Sequence, residues 1–116
     1  MKTIIHIDNS QFFRKLMTNF LIKEGFEVES YDNAEDAAMA ISGGVASMVI
    51  AGLAFAGMDG EEFIRRTRDS YAGPVVIVSS SLDAARKSAL RDLGVKAAID
   101  KSGPWQEALK TELAAV

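Results

Sequence analysis

The chain has 116 residues, 48% hydrophobic and 25% charged, enough for one domain (residues 1–116) that buries a core without disulfide or metal. A net charge of -3 and a pI near 5.1 argue against nucleic-acid contact, and the absence of cysteine with only one histidine, His6, excludes thiol chemistry and multi-histidine metal sites. No apolar run approaches the roughly 20 residues that span a bilayer, and Met1-Lys2-Thr3 leads straight into a strand, so a cytoplasmic protein with no membrane contact is expected.

Residues 3–7 are apolar on both faces, as in a central parallel strand. Ser10 is an N-cap, and Phe13, Leu16, Met17, Phe20 and Leu21 form the inward stripe of a helix that Gly25 ends. Residues 26–31 make a second strand. Asp32-Asn33 opens a second helix, with Ala37, Ala38 and Ile41 inward and Gly43-Gly44 stopping it. A short buried strand covers residues 48–51. Asp59-Gly60-Glu61-Glu62 has the form of a capping box, followed by inward Phe63, Ile64 and Thr67.

After the Gly73-Pro74 turn, residues 75–78 are the clearest buried strand. Ala85, Ala89, Leu90 and Leu93 mark a fourth helix closed by Gly94, and residues 97–99 a fifth strand. Pro104 suits the first position of a last helix carrying Trp105, Leu109 and Leu113 on one stripe. Five strands alternating with five helices predict a doubly wound parallel sheet between two helical layers, an α/β/α sandwich. Function in such a sheet sits at the carboxyl ends of the strands. Those ends are Asp8-Asn9-Ser10, Asp32-Asn33, Gly52-Leu53, Ser79-Ser80-Ser81 and Asp100-Lys101.

The whole chain resembles the receiver domain of two-component response regulators. The resemblance rests on Ile4-Ile5-His6-Ile7-Asp8-Asn9-Ser10, Gly25-Phe26-Glu27-Val28, Asp32-Asn33-Ala34-Glu35-Asp36-Ala37, Gly57-Met58-Asp59-Gly60-Glu61-Glu62-Phe63, Pro74-Val75-Val76-Ile77-Val78-Ser79 and Leu93-Gly94-Val95-Lys96-Ala97-Ala98-Ile99-Asp100-Lys101. It implies a CheY-like, flavodoxin-like (βα)5 fold and a bacterial-type signalling role without enzymatic activity. Members of the family use an Asp at the end of the third strand as phosphoryl acceptor. That Asp and an acidic pair after the first strand hold Mg²⁺, while a Ser or Thr and a Lys after the fourth and fifth strands bind the phosphoryl group.

Carried onto this chain, the acceptor position falls on Gly52 and the acidic pair reads Asp8-Asn9, while Ser79 and Lys101 match. The aromatic switch position falls on Ala98, and Ser102-Gly103-Pro104 displaces the usual Lys-Pro step. A full site sets three carboxylates against one lysine, whereas here Asp8 faces Lys101 with no net charge, which gives Mg²⁺ little reason to shed water. The resemblance therefore implies a pseudo-receiver: a degenerate phosphorylation pocket of Asp8, Asn9, Gly52, Ser79 and Lys101, with Mg²⁺ binding lost or weak, no other cofactor and no catalytic residue.

The same residues admit plainer roles. Asp8 and Lys101 form either a structural ion pair or a ligand-responsive one, Asn9, Ser10 and the serines at 79–81 are ordinary caps, Gly52 is a turn glycine, and His6 is a satisfied core histidine. Trp105 is either a docking hot spot or an aromatic anchor, and Phe55 either an exposed loop tip or a buried one. The leading expectation is a phosphorylation-independent module that binds a protein partner, or a second copy of itself, through the face of the fourth helix, fifth strand and fifth helix. Its candidate contacts are Arg86, Arg91, Lys96, Ala98 and Trp105. One alternative is a sensor that takes a small anion or nucleotide beside Gly52. Another is an active receiver phosphorylated on Asp8 or Ser79.

Overall fold

The computed structural model describes residues 1–55, 57–80 and 82–116. Ala56 and Ser81 lie outside them, so the reading of Ser81 as a cap is not addressed. Five strands, β1 (Thr3–Ile7), β2 (Glu27–Tyr31), β3 (Ala46–Ala51), β4 (Val75–Ser79) and β5 (Ala97–Asp100), form one parallel sheet in the order β2-β1-β3-β4-β5. The helices are α1 (Gln11–Lys23), α2 (Ala34–Ser42), α3 (Gly60–Ser70), α4 (Ala84–Asp92) and α5 (Trp105–Leu113).

Alternation along the strands divides the core. Ile5, Ile7, Val49, Ala51, Val75 and Ile77 face α2, α3 and α4, meeting Ala37, Ile41, Phe63, Ile64 and Leu90. Ile4, Met48, Ile50, Val76, Val78 and Ile99 face α1 and α5, meeting Phe13, Met17, Phe20, Leu21, Leu109 and Leu113. The sheet is thus sandwiched between two helical layers, as expected. β2, an edge strand, carries exposed Glu27, Glu29 and Ser30, which discourage edge-to-edge pairing.

Capping explains the helix starts. Ser10, Asn33, Asp59 and Asp83 each accept a hydrogen bond from the backbone N–H three residues on, in α1, α2, α3 and α4. Only half of the expected capping box at Asp59 forms, because the Glu62 carboxylate turns instead to Arg66 at 3.1 Å. Gly25, Gly44 and Gly94 follow their helices with φ of 94°, 80° and 90°, the left-handed conformation expected of helix ends.

The helical stripes are narrower than the sequence suggests. Leu16 is 37% exposed, and Ala38, Ala85 and Ala89 point to solvent; Ala34 takes the inward place on α2, and Leu90 alone is buried on α4. An alanine gains little from burial, so it marks a helix's inner face poorly. Pro104 sits one place earlier than expected, at the N-cap of α5. The loop before it is held by the Asp100 carboxylate, which accepts from the Ser102 N–H at 2.9 Å and its hydroxyl at 2.7 Å. These bonds from Ser102 hold the Asp100 carboxyl below its ordinary pKa.

Candidate functional site

Because β1, β3, β4 and β5 are neighbours in the sheet, Asp8, Gly52, Ser79 and Lys101 come together at their carboxyl ends. The centre is Asp8, 1% exposed. Its Oδ2 accepts from Lys101 Nζ at 2.8 Å, and its Oδ1 accepts from the Ser10 N–H at 2.8 Å. Its main chain is fixed as well: the Asp8 N–H donates to the Tyr31 carbonyl, and Arg14 Nη1 donates to the Asp8 carbonyl at 2.9 Å.

Lys101 is held from three sides. Its N–H donates to the Ser79 carbonyl at 2.9 Å, its ammonium meets Asp8, and the same ammonium lies 4.2 Å from the centroid of the Phe13 ring. Phe13 in turn meets Trp105 edge-on at 5.1 Å, and Trp105 meets Phe20 at 5.4 Å. Trp105 is therefore an anchor between α1 and α5, in line with its plainer reading. The roles of Phe13 and Arg14 at the site carry no sequence signal: Phe13 reads as one more core residue of α1.

Gly52 is not in a left-handed conformation, so the turn-glycine reading does not account for it. What stands close is the Asp8 side chain. A Cβ on residue 52 would stand 2.9 Å from Asp8 Oδ2, so the carboxylate in its present position would have to shift to admit one. The Asp8 carboxylate, drawn across by Lys101, lies against the bare Gly52 backbone, whose N–H donates to the Ile7 carbonyl at 2.8 Å.

The remaining candidates are turned elsewhere. The Ser79 hydroxyl donates to the Ser80 carbonyl at 3.0 Å, and Asn9 is exposed, its N–H donating to the Ala54 carbonyl at 3.3 Å. Asp83 accepts the Arg86 N–H at 2.7 Å, so the start of α4 already holds a carboxylate of the chain itself. Arg86 reaches across to Glu61 at 3.0 Å, and Lys96 pairs with Glu112 at 3.7 Å. Both pairs lie at the surface, where such pairs exchange at little cost; Arg91 is exposed and Ala98 half-buried. Phe55 meets Phe63 edge-on at 5.2 Å, which answers the loop-tip question in favour of packing.

His6 lies on the same strand face as Asp8. It is fully buried with its ring edge-on to Phe13, and among the described residues neither ring nitrogen has a hydrogen-bond partner. It is a core histidine but not a satisfied one. Burial lowers its pKa to about 4; the charge of Asp8 opposes that shift, while Lys101 and Arg14 add to it. Unfolding returns the imidazole to its ordinary value of about 6.5, so between those values the unfolded chain binds more protons and stability falls as pH falls. Denaturant titrations at pH 7.5 and pH 5 are expected to differ by about 2 kcal/mol in the native protein, a loss absent in His6→Leu.

A comparison with curated protein sequences finds no match. The sequence matches the response regulator receiver domain over residues 4–113. The chain belongs to that family. Among solved structures, the BeF3-activated receiver domain of Klebsiella pneumoniae RstA superposes with a TM-score of 0.91 at 20% identity, over 98% of this chain and 97% of that one. A two-component response regulator from Clostridium difficile gives 0.91 at 17% identity (99% and 94% covered), and Vibrio cholerae chemotaxis protein CheY4 gives 0.88 at 20% (100% and 99% covered). At these identities the likeness shows the fold, which is the expected (βα)5 flavodoxin-like one.

The receiver fold brings the question of Mg²⁺ to the strand ends. Among the described residues no three acidic or histidine side chains gather to hold a cation. The one carboxylate at the centre of this receiver's site has an ammonium on one oxygen and a backbone N–H on the other. That donor set does not fit a hard divalent ion, which seeks several free oxygens. Among the described residues, no helix of the receiver is long and apolar enough to cross a membrane.

Proposed function

We propose that this receiver domain signals without phosphorylation, as a protein-interaction module with neither enzymatic activity nor a bound Mg²⁺. The observation that carries this reading is the position of the Asp8 carboxylate. It lies against Gly52, where an acceptor side chain would start, and is already neutralised by Lys101. The pair takes over the link between sheet and lysine that a phosphoryl group makes in the family. In this reading the β1 and β5 ends are joined permanently rather than on demand.

The other readings have less support. A ligand sensor needs room beside Gly52, which the Asp8 side chain takes. Phosphorylation on Asp8 would require breaking its bond to Lys101, and the Ser79 hydroxyl is directed at a backbone carbonyl. Incubation with acetyl phosphate and Mg²⁺ followed by intact-mass measurement is expected to return the unmodified chain. A phosphoryl adduct mapped to Asp8 or Ser79 would overturn the proposal.

For the partner, the face of α4, β5 and α5 remains the preferred surface, with Arg91 exposed on it. Trp105 packs within the fold, and Arg86 and Lys96 remain candidate contacts beside their surface ion pairs. Contact with no nucleic acid is expected from the acidic balance of the chain.

A further inference from the structure

A second surface lies at the end of the α2–α3–α4 layer away from α4. Between α2 and α3 runs a groove of about 450 Å³, with buried Ala34, Ile41, Phe63 and Thr67 at its base. Its walls are Ala38, Met39 and Met58. Met39 stands 68% exposed, and Ala38 beside it also faces solvent. α2 thus presents an apolar knob and an apolar hollow side by side, outside everything the site at the strand ends uses. Methionine is the side chain best able to adapt its shape to such a contact.

The charges at the groove are divided by side. Glu35 flanks it from α2, with Asp36 exposed next to it, and Arg66 flanks it from α3, with Arg65 exposed next to it. An interface between identical copies must complement itself, each patch meeting its own image. A two-fold axis running along the groove lays α2 of one copy over α3 of the other. That arrangement sets each acidic side against a basic one and each Met39 over the other copy's hollow.

We propose that this receiver domain self-associates as a two-fold dimer through the α2–α3 groove. The charge division selects a second copy over an unrelated helix, because one surface supplies both halves of every contact. The α4–β5–α5 face then stays open for the protein partner. Arg66 and Arg65 already meet Glu62, at 3.1 Å and 3.6 Å, but both pairs are on the surface with the arginines 67% and 56% exposed, so they exchange at little cost.

Sedimentation velocity over a concentration series, with circular dichroism to verify folding, tests this. The native chain is expected to show a monomer–dimer equilibrium that Met39→Glu weakens about tenfold or more. Glu35→Arg and Arg66→Glu are each expected to weaken it about fivefold, and the two together to restore it. All three positions are at the surface or the groove rim, so the variants should fold. A chain that stays monomeric throughout overturns the proposal. So does a dimer that these variants leave intact and Arg91→Glu dissolves, which would place self-association on the α4–β5–α5 face.

Discussion

Replacing Lys101 with methionine is expected to destabilise the domain by about 2–4 kcal/mol, more than any surface substitution, because it leaves the Asp8 carboxylate buried and unpaired. Asp8 is the more deeply buried partner, its side chain 2% exposed against 23% for Lys101. The cost is therefore asymmetric. In Asp8→Asn the amide oxygen still accepts the Ser10 N–H, and the freed ammonium can turn towards water, so a loss of about 1–2 kcal/mol is expected. The double variant should lose less than the sum, since neither charge is then stranded. Urea denaturation of the four proteins measures all of this. Equal losses from both single variants would show that the pair is solvated rather than buried.

The second large effect concerns Gly52. Gly52→Asp places a Cβ 2.9 Å from Asp8 Oδ2 and sets two carboxylates against one lysine. Crowding and like charge together are expected to cost about 2–3 kcal/mol without added metal. Adding Asn9→Asp raises the cluster to three carboxylates facing Lys101, the charge balance that attracts a hard divalent cation. Mg²⁺ at about 10 mM should then raise the melting temperature of the double variant while leaving the native protein unmoved, because a ligand stabilises only the state that binds it. Equal melting shifts in both proteins would mean that the native site already binds Mg²⁺.

The fold was largely legible in the sequence because two periodicities coincide with clear stops. Strands apolar on both faces, such as residues 75–78, admit no other place than the middle of a covered parallel sheet, and the caps at Ser10, Asn33 and Asp59 mark helix starts by their own hydrogen-bonding chemistry. The errors fell on alanines and on Leu16, where small size or a position at the stripe's margin leaves the inner face undecided. They fell also on the Asp59 capping box and the placing of Pro104, where the helix start differs in detail.

The site was legible in its members but not in its geometry. Strand order brought the carboxyl ends to one edge, and the family resemblance picked out Asp8, Gly52, Ser79 and Lys101 there and anticipated the ion pair. Neither could show that Asp8 fills the space beside Gly52, that Phe13 lies under the ammonium, or that Arg86 and Lys96 meet Glu61 and Glu112. Those facts depend on side-chain directions across elements far apart in the chain. Sequence spacing carries no record of them.

The central claim is that the strand-end site has exchanged phosphoryl chemistry for a fixed Asp8–Lys101 pair. Titration with Mg²⁺ and beryllofluoride, followed by amide NMR shifts and by Trp105 fluorescence, tests it most directly. Trp105 reports on the site because it packs on Phe13, whose ring faces Lys101. The account predicts no change in either signal up to about 10 mM Mg²⁺. A saturable shift centred on Asp8, Gly52 and Lys101 would contradict it and mark the site as one that still binds metal and phosphoryl groups.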